Sequence, residues 1–365
     1  MPSSSPSIDD GCRVTDVVAV LDAITGGRIS APPGPDNPWY VTKDSGLPGK
    51  AVTETPGLVI GDPDAPVRRL GVAMTLTEHH IELARAIGVD VVVAHHPVAD
   101  AASAGGVLLR DYLPLYQLAV IECHEAFHGL HPGIAYLHGH QPFHTDGAFG
   151  GVHGKVVSVG RPLPGVKTLG DVLARLRSML ERERDEAVLD AEQTVRGSDD
   201  ISDSATAPGL RILAGTADTP LGAAVIHAFP HTGFSADDLE VLLGRHPDVG
   251  ALLLSISGAK PDDDLVRCAA DAGLGVLVGS SHPSEILENG LPLAEALDRL
   301  LPGIEVLLMR DRVVALPLDV ASPGHLGDYR RLMGEHLVTR ATTTDPSLAL
   351  PTRAPHAAVA RGARP

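Results

Sequence analysis

The sequence predicts an α/β fold of two similarly planned halves, with a metal site in the crevice at the carboxyl ends of the strands. Three observations carry that expectation. Short, unbroken apolar runs such as 91–94 and 274–278 read as strands covered on both faces. Stretches with helical spacing and recognisable caps lie between them. The order strand, helix, strand, helix, strand occurs twice, and each time the last strand runs into histidine and a carboxylate, His124 with Glu125 and His282 with Glu285.

Taken in order, residues 1–13 are rich in Ser and Pro and are expected to be disordered. Apolar spacing over 14–24 predicts an amphipathic helix stopped by Gly26 and Gly27. Residues 29–61, with the single tryptophan Trp39, read as an irregular wrapping loop. A strand over 69–74 precedes a helix to about Ile87, opened by a capping box of Thr75 and Glu78 and closed by Gly88. The strand over 90–97 is followed by a small-residue loop, a helix over 107–118 kinked at Pro114, and a strand over 119–123.

A strand over 155–159 leads to a helix capped by Thr168, and 196–208 reads as a mobile polar linker. In the second half, strands at 223–227, 251–256 and 274–278 alternate with helices opened by Ser235 and by the aspartates after Pro261. Residues 284–300 read as helix, 304–317 as a hairpin, and the tail beyond Arg340 as disordered. The expected segments are a disordered start (1–13), a first half (14–160), a helix with a linker (161–209), a second half (210–335) and a tail (336–365).

Composition narrows the function. The chain has 365 residues, of which 44% are hydrophobic, enough for one large or two ordinary domains. A formal net charge of −17 argues against nucleic acid, whose binding rests on Lys and Arg neutralising phosphates. Three scattered cysteines exclude a disulfide framework and a thiolate zinc site, and point to a reducing compartment. No run reaches the length of a membrane span, so no membrane partner and a cytoplasmic location are expected. The oddity is 18 histidines.

His95 and His96 close the buried strand of the first half, and Pro97 ends its ladder. Adjacent side chains on an extended segment point to opposite sides, so the two imidazoles can serve two different ions. The dense run from His124 to His153 is expected to be mostly solvent-facing or in the second shell of the metal site, because each buried imidazole needs partners for its nitrogens. His79 and His80 read as structural. His95, His96, His124, His128, His282 and Glu285 all fall at or just past predicted strand ends. Nitrogen donors with one carboxylate suit zinc, iron, manganese or nickel. Six candidates exceed the needs of one tetrahedral ion, which suggests two divalent ions about 3.5–4 Å apart with an activated water between them.

These motifs resemble the Nif-three-like family of dinuclear-metal proteins, also known as GTP cyclohydrolase 1 type 2 homologues. Gly57 to Asp62 resembles the family's Gly-Leu-Gln-Val-Gly segment, with Val59 for Gln, and residues 91–97 match its apolar strand and His-His-Pro. Residues 124–128 stand where the family has His-Thr-Asn-Leu-Asp, and 279–285 where it has Gly-His, a spacer and Glu. The resemblance implies His95, His96, His128, His282 and Glu285 as metal ligands, His124 as second shell or proton carrier, and a toroidal homohexamer. Three departures stand out. His128 replaces a bridging Asp, Ser281 replaces the His aligned on Glu285 with His282 one residue closer, and Ser257-Gly258-Ala259 replaces Thr-Gly-Glu. The expected function is metal-dependent hydrolysis of a small nucleotide-like or phosphoester substrate; the alternative is a non-catalytic, metal-binding hexameric scaffold or regulatory protein.

Overall fold

In the computed structural model the structure describes residues 11–33, 37, 39–44, 51–98, 109–152, 154–197, 210–310, 324, 327, 328 and 332. The expectations for 1–10, for the loop before the Pro114 helix, for most of the linker, for 311–317, for the tail and for His153 fall outside them. The chain divides into two compact units, 1–186 with 204–313 and 187–203 with 314–365. Both sheets and the candidate site belong to the first unit.

A five-stranded sheet occupies the first part. Its order is β13 (Glu305–Met309), β4 (Arg69–Ala73), β5 (Val91–Ala94), β6 (Ala119–Glu122) and β3 (Gly57–Ile60), all parallel except β3. Every residue of β5 is buried, and each fully buried valine contributes roughly 1.5–3 kcal/mol relative to exposure. Alternation divides that burial between two cores. Val91 and Val93 face α1 (Val14–Thr25) and α9 (Leu291–Leu300), while Val92 and Ala94 face α2 (Glu78–Ile87) and α3 (Leu109–Tyr116).

The six-stranded sheet runs β7 (His140–Asp146), β8 (Val157–Pro162), β10 (Ala224–Ala228), β11 (Val249–Leu254), β12 (Gly275–Val278) and β9 (Arg211–Ala214). The central three are parallel and their neighbours antiparallel. One face packs on α7 (Ala236–Arg245) and α8 (Asp264–Asp271), the other on α4 (Gly133–Leu137) and α5 (Leu169–Met179). Helix α6 (Arg182–Arg196) follows α5 in sequence.

Several expectations are corrected. The wrapping loop contains β3 and a hairpin of β1 (Val41–Asp44) and β2 (Ala51–Glu54). Residues 11–13 are ordered, because the Cys12 carbonyl accepts from Val67 N–H at 2.7 Å and Arg13 caps α1. Helix α2 begins two residues later than expected: Thr77 is its cap and His80, not Glu78, completes the box. β13 is a parallel partner of β4, and the second limb of the expected hairpin, 311–317, lies outside the described residues. The sheets also divide the chain differently from halves at 14–160 and 210–335, since β7 and β8 join the later sheet whereas α9 and β13 return to the first.

Candidate metal centre

The β5 ladder continues past its last strand residue. His95 N–H donates to the Ala73 carbonyl at 2.9 Å and His96 N–H to that of Met74 at 2.7 Å. The chain bends at the two histidines, and their rings enter different clusters. Cys123 N–H continues the pairing from β6 to the Ala94 carbonyl at 3.0 Å, after which the chain turns and brings His124 and His128 back over β5.

The first cluster is His95, His124 and His128, whose ligand-capable atoms all lie within 4.8 Å of one another. Outer partners set the tautomer of each ring. His95 Nδ1–H donates to the Cys123 carbonyl at 3.1 Å, His124 Nδ1–H to Glu54 at 3.0 Å, and His128 Nδ1–H to Glu125 at 3.3 Å. A carbonyl or an ionised carboxylate can only accept, so each Nε2 is left as a lone pair. Two nitrogens on one tetrahedral ion at 2.0–2.1 Å lie about 3.3–3.4 Å apart. The His95 and His128 Nε2 atoms are 3.3 Å apart, which fits. Burial, with the neighbouring His128 and His124, holds His95 neutral by pushing its pKa well below the ordinary value; burial also lowers that of His124.

The second cluster is His96, His282 and Glu285. His96 Nδ1 shares a hydrogen bond with Thr75 Oγ1 at 2.7 Å, and its Nε2 lies 3.0 Å from His282 Nε2 and 3.3 Å from Glu285 Oε2. His282 Nε2 is 3.0 Å from the same oxygen. Burial raises the Glu285 pKa, but hydrogen bonds from His282 and His96 outweigh it and hold the carboxyl well below its usual range. Asn289 stands between the clusters, with Nδ2 3.4 Å from His95 Nε2 and 3.3 Å from Glu285 Oε1. A π-helical turn, Ile286–Gly290, carries it. Such turns are frequent at functional sites.

All six sequence candidates thus fall in two adjoining clusters. His124, expected beside the ions, lies in the first cluster itself. The shift of His282 relative to the family's His still leaves its ring on Glu285. Sequence reading missed Glu54, Glu125 and Asn289 and took Thr75 for a cap. Asn289 had a signal, standing four residues after Glu285 on a helix, and Glu125 follows His124 directly; nothing in the sequence marked Glu54. His79 and His80 lie outside both clusters. The Cys123 thiol, pushed up to about 12 by burial, stays protonated beside the site and contributes its carbonyl instead.

The expectation that the later histidines face solvent fails for His138 and His140, which are buried together with His227. His138 Nδ1–H donates to the Ile134 carbonyl at 2.7 Å, while its Nε2 lies 2.8 Å from Ser255 Oγ and accepts from Ser280 N–H at 3.1 Å. His227 Nε2 meets Ser255 Oγ at 2.8 Å. These partners come from strand ends far away in sequence.

Residues 49–101, which include β2, β4, β5 and the His95-His96 pair, match the Duf34/NIF3 (NGG1p interacting factor 3) family model. That segment is similar to the NIF3 family. A likeness of fold extends beyond the matched segment: the Staphylococcus aureus hypothetical protein SA1388 is similar over 86% of this chain and 99% of its own, at 14% identity and a TM-score of 0.50. A Bacillus cereus protein related to NIF3 is similar over 82% of this chain and 97% of its own, at 11% identity and a TM-score of 0.49. Reduced HcgD from Methanocaldococcus jannaschii is similar over 81% and 97%, at 13% identity and a TM-score of 0.48. No curated protein matches significantly. Among the described residues, no helix is long and apolar enough to cross a membrane.

Proposed function

We propose that this chain is a metal-dependent hydrolase of a small nucleotide-like or phosphoester substrate, holding two divalent ions, one in each histidine cluster. The supporting observation is the convergence of three imidazole lone pairs, with 3.3 Å between the His95 and His128 Nε2 atoms, next to a second cluster of two imidazoles and a carboxylate. Zinc, iron and manganese suit that donor set. Divalent ions bound there would supply Lewis acidity and make a coordinated water acidic near neutral pH.

The side chains divide the remaining work. Cys123, Glu54 and Glu125 fix the three rings of the first cluster through their Nδ1–H groups, and Thr75 orients His96. Glu285 supplies the negative charge that offsets the cations. His282, whose side chain is 54% exposed, would close the second ion's site on its solvent side. The homohexamer implied by the family resemblance is part of the same proposal.

Elemental analysis of protein purified without added metal, combined with native mass and a hydrolysis panel of nucleotides and phosphoesters, tests this reading. We expect about two ions per subunit, a hexamer mass, and turnover that falls at least 100-fold on chelation and in His124→Ala. Stoichiometric metal with no turnover would favour the scaffold alternative, and turnover indifferent to chelation would end the metal mechanism.

A further inference from the structure

A cavity of about 330 Å³ opens at the carboxyl ends of β10 and β11, beside the end of β12 that carries His282. In an α/β sheet this is where ligands bind. Resting on the hydrolase reading above, we propose that this cavity seats the ring portion of the substrate, a planar aromatic or heteroaromatic group with an N–H donor on one edge, and that it delivers the group next to that ring to the His96–His282–Glu285 cluster.

Position carries the first step. His231 lines the cavity, and its ring lies nearly parallel to that of His282, with centroids 6.5 Å apart and planes 28° apart. A ligand seated against His231 therefore reaches the second cluster without crossing protein. The wall is also built rather than incidental. Ile256, a β-branched residue, is held at φ 51°, a left-handed conformation that such residues rarely adopt. One contact holds it from the neighbouring strand end, Ile256 N–H donating to the Ser280 carbonyl at 2.9 Å. Backbone strain of this kind persists where the surroundings over-determine it and gathers at binding sites.

Lining chemistry selects the ligand. Pro230, Phe234, Ile256 and Leu265 offer apolar surface, and Asp263 is the acidic residue among the described lining. Its Oδ2 accepts from Lys260 N–H at 2.8 Å, and it makes no side-chain cap to α8, which leaves Oδ1 as an acceptor for a ligand donor. Among the described residues no lysine or arginine lines the cavity, so it lacks the fork of cationic donors that holds a phosphate. The volume, at the small end of ligand pockets, suits one ring or two fused rings.

The test uses the metal-loaded full chain and two probes, 2-aminobenzimidazole and benzenesulfonate, with binding measured by ligand-observed NMR and calorimetry. Filling the cavity with Ala259→Leu should weaken 2-aminobenzimidazole binding at least 10-fold. Gly258→Leu, at a position where an added Cβ meets no atom within 4 Å, should do the same without straining the fold. Asp263→Asn should cost about 10-fold, benzenesulfonate should bind wild type at least 10-fold more weakly than the amine, and metal content should not change in any variant. Equal binding by wild type and both filled variants, preference for the sulfonate, or no binding of the amine would each overturn the proposal. Ring binding is read without turnover, so metal-loaded protein that binds the ring and hydrolyses nothing would count against the hydrolase reading alone.

Discussion

The Nε2 atom of His128 decides how the first cluster treats a cation. It faces His95 Nε2 at 3.3 Å, while its Nδ1–H is tied to Glu125. Exchanging that nitrogen for a carboxylate oxygen in His128→Asp should shift preference from zinc toward manganese, since oxygen suits harder ions. His128→Ala should weaken metal binding at least ~10-fold, because losing even an outer partner of a ligand costs that much. Competition titrations on wild type and both variants check this, and three indistinguishable profiles would remove His128 from the ligand set. At this scale the sequence was informative where a residue closed a buried run, as with His95 and His96. It was silent where a partner came from a distant element, as with Glu54, and misleading for His138, whose serine partners at 255 and 280 cannot be foreseen from its neighbours.

Two threonines at the start of α2 show what pattern can and cannot place. A capping box read from Thr75 and Glu78 has the right spacing, yet Thr77 makes the cap and Thr75 turns to His96 Nδ1 at 2.7 Å. The two roles separate experimentally. Thr77→Ala should lower stability by about 1 kcal/mol, the usual cost of a lost cap, and leave metal content unchanged. Thr75→Ala should weaken metal binding in the second cluster with little effect on denaturant midpoint; reversal of the two outcomes would restore the cap expected from spacing. The central strands were legible because their apolar runs are short, β-branched and bounded by breakers. The β1–β2 hairpin was not, since its strands are only four residues long and their apolar residues, Val41, Ala51 and Val52, do not alternate along a strand. Nor was β13, because a strand's partner is chosen by tertiary packing that its own residues do not record.

Across the whole molecule, the buried histidines make stability depend on acid. Burial pushes His138 down to about 4 and His140 to about 3, and neither ring nitrogen of His140 has a hydrogen-bond partner among the described residues. Unfolded histidine titrates near 6.5, so the unfolded chain binds more protons below that pH. Stability is thus complete above about pH 6.5 and falls as pH drops toward the folded values of about 4 and about 3, by roughly 1.4 kcal/mol per pH unit for each histidine. Melting temperature should drop steeply from pH 6.5 to 4.5 in wild type and less steeply in His140→Leu, which replaces two unsatisfied nitrogens with apolar volume. Parallel curves for the two proteins would show that His140 takes no part. The two-sheet α/β plan was visible in the alternation of elements. The exchange of β7, β8, α9 and β13 between sheets was not, because a repeated plan is most simply read as two consecutive blocks.

That exchange also sets a timetable. His95, His124 and His128, with Glu54 and Glu125 behind them, are all made before residue 129 leaves the ribosome, whereas His96 waits for His282 and Glu285. One peptide bond, between His95 and His96, joins an early-completed group to a late one. The nascent chain therefore carries its whole nitrogen trio while the 157 residues from 129 to 285 are added, before the second trio can close.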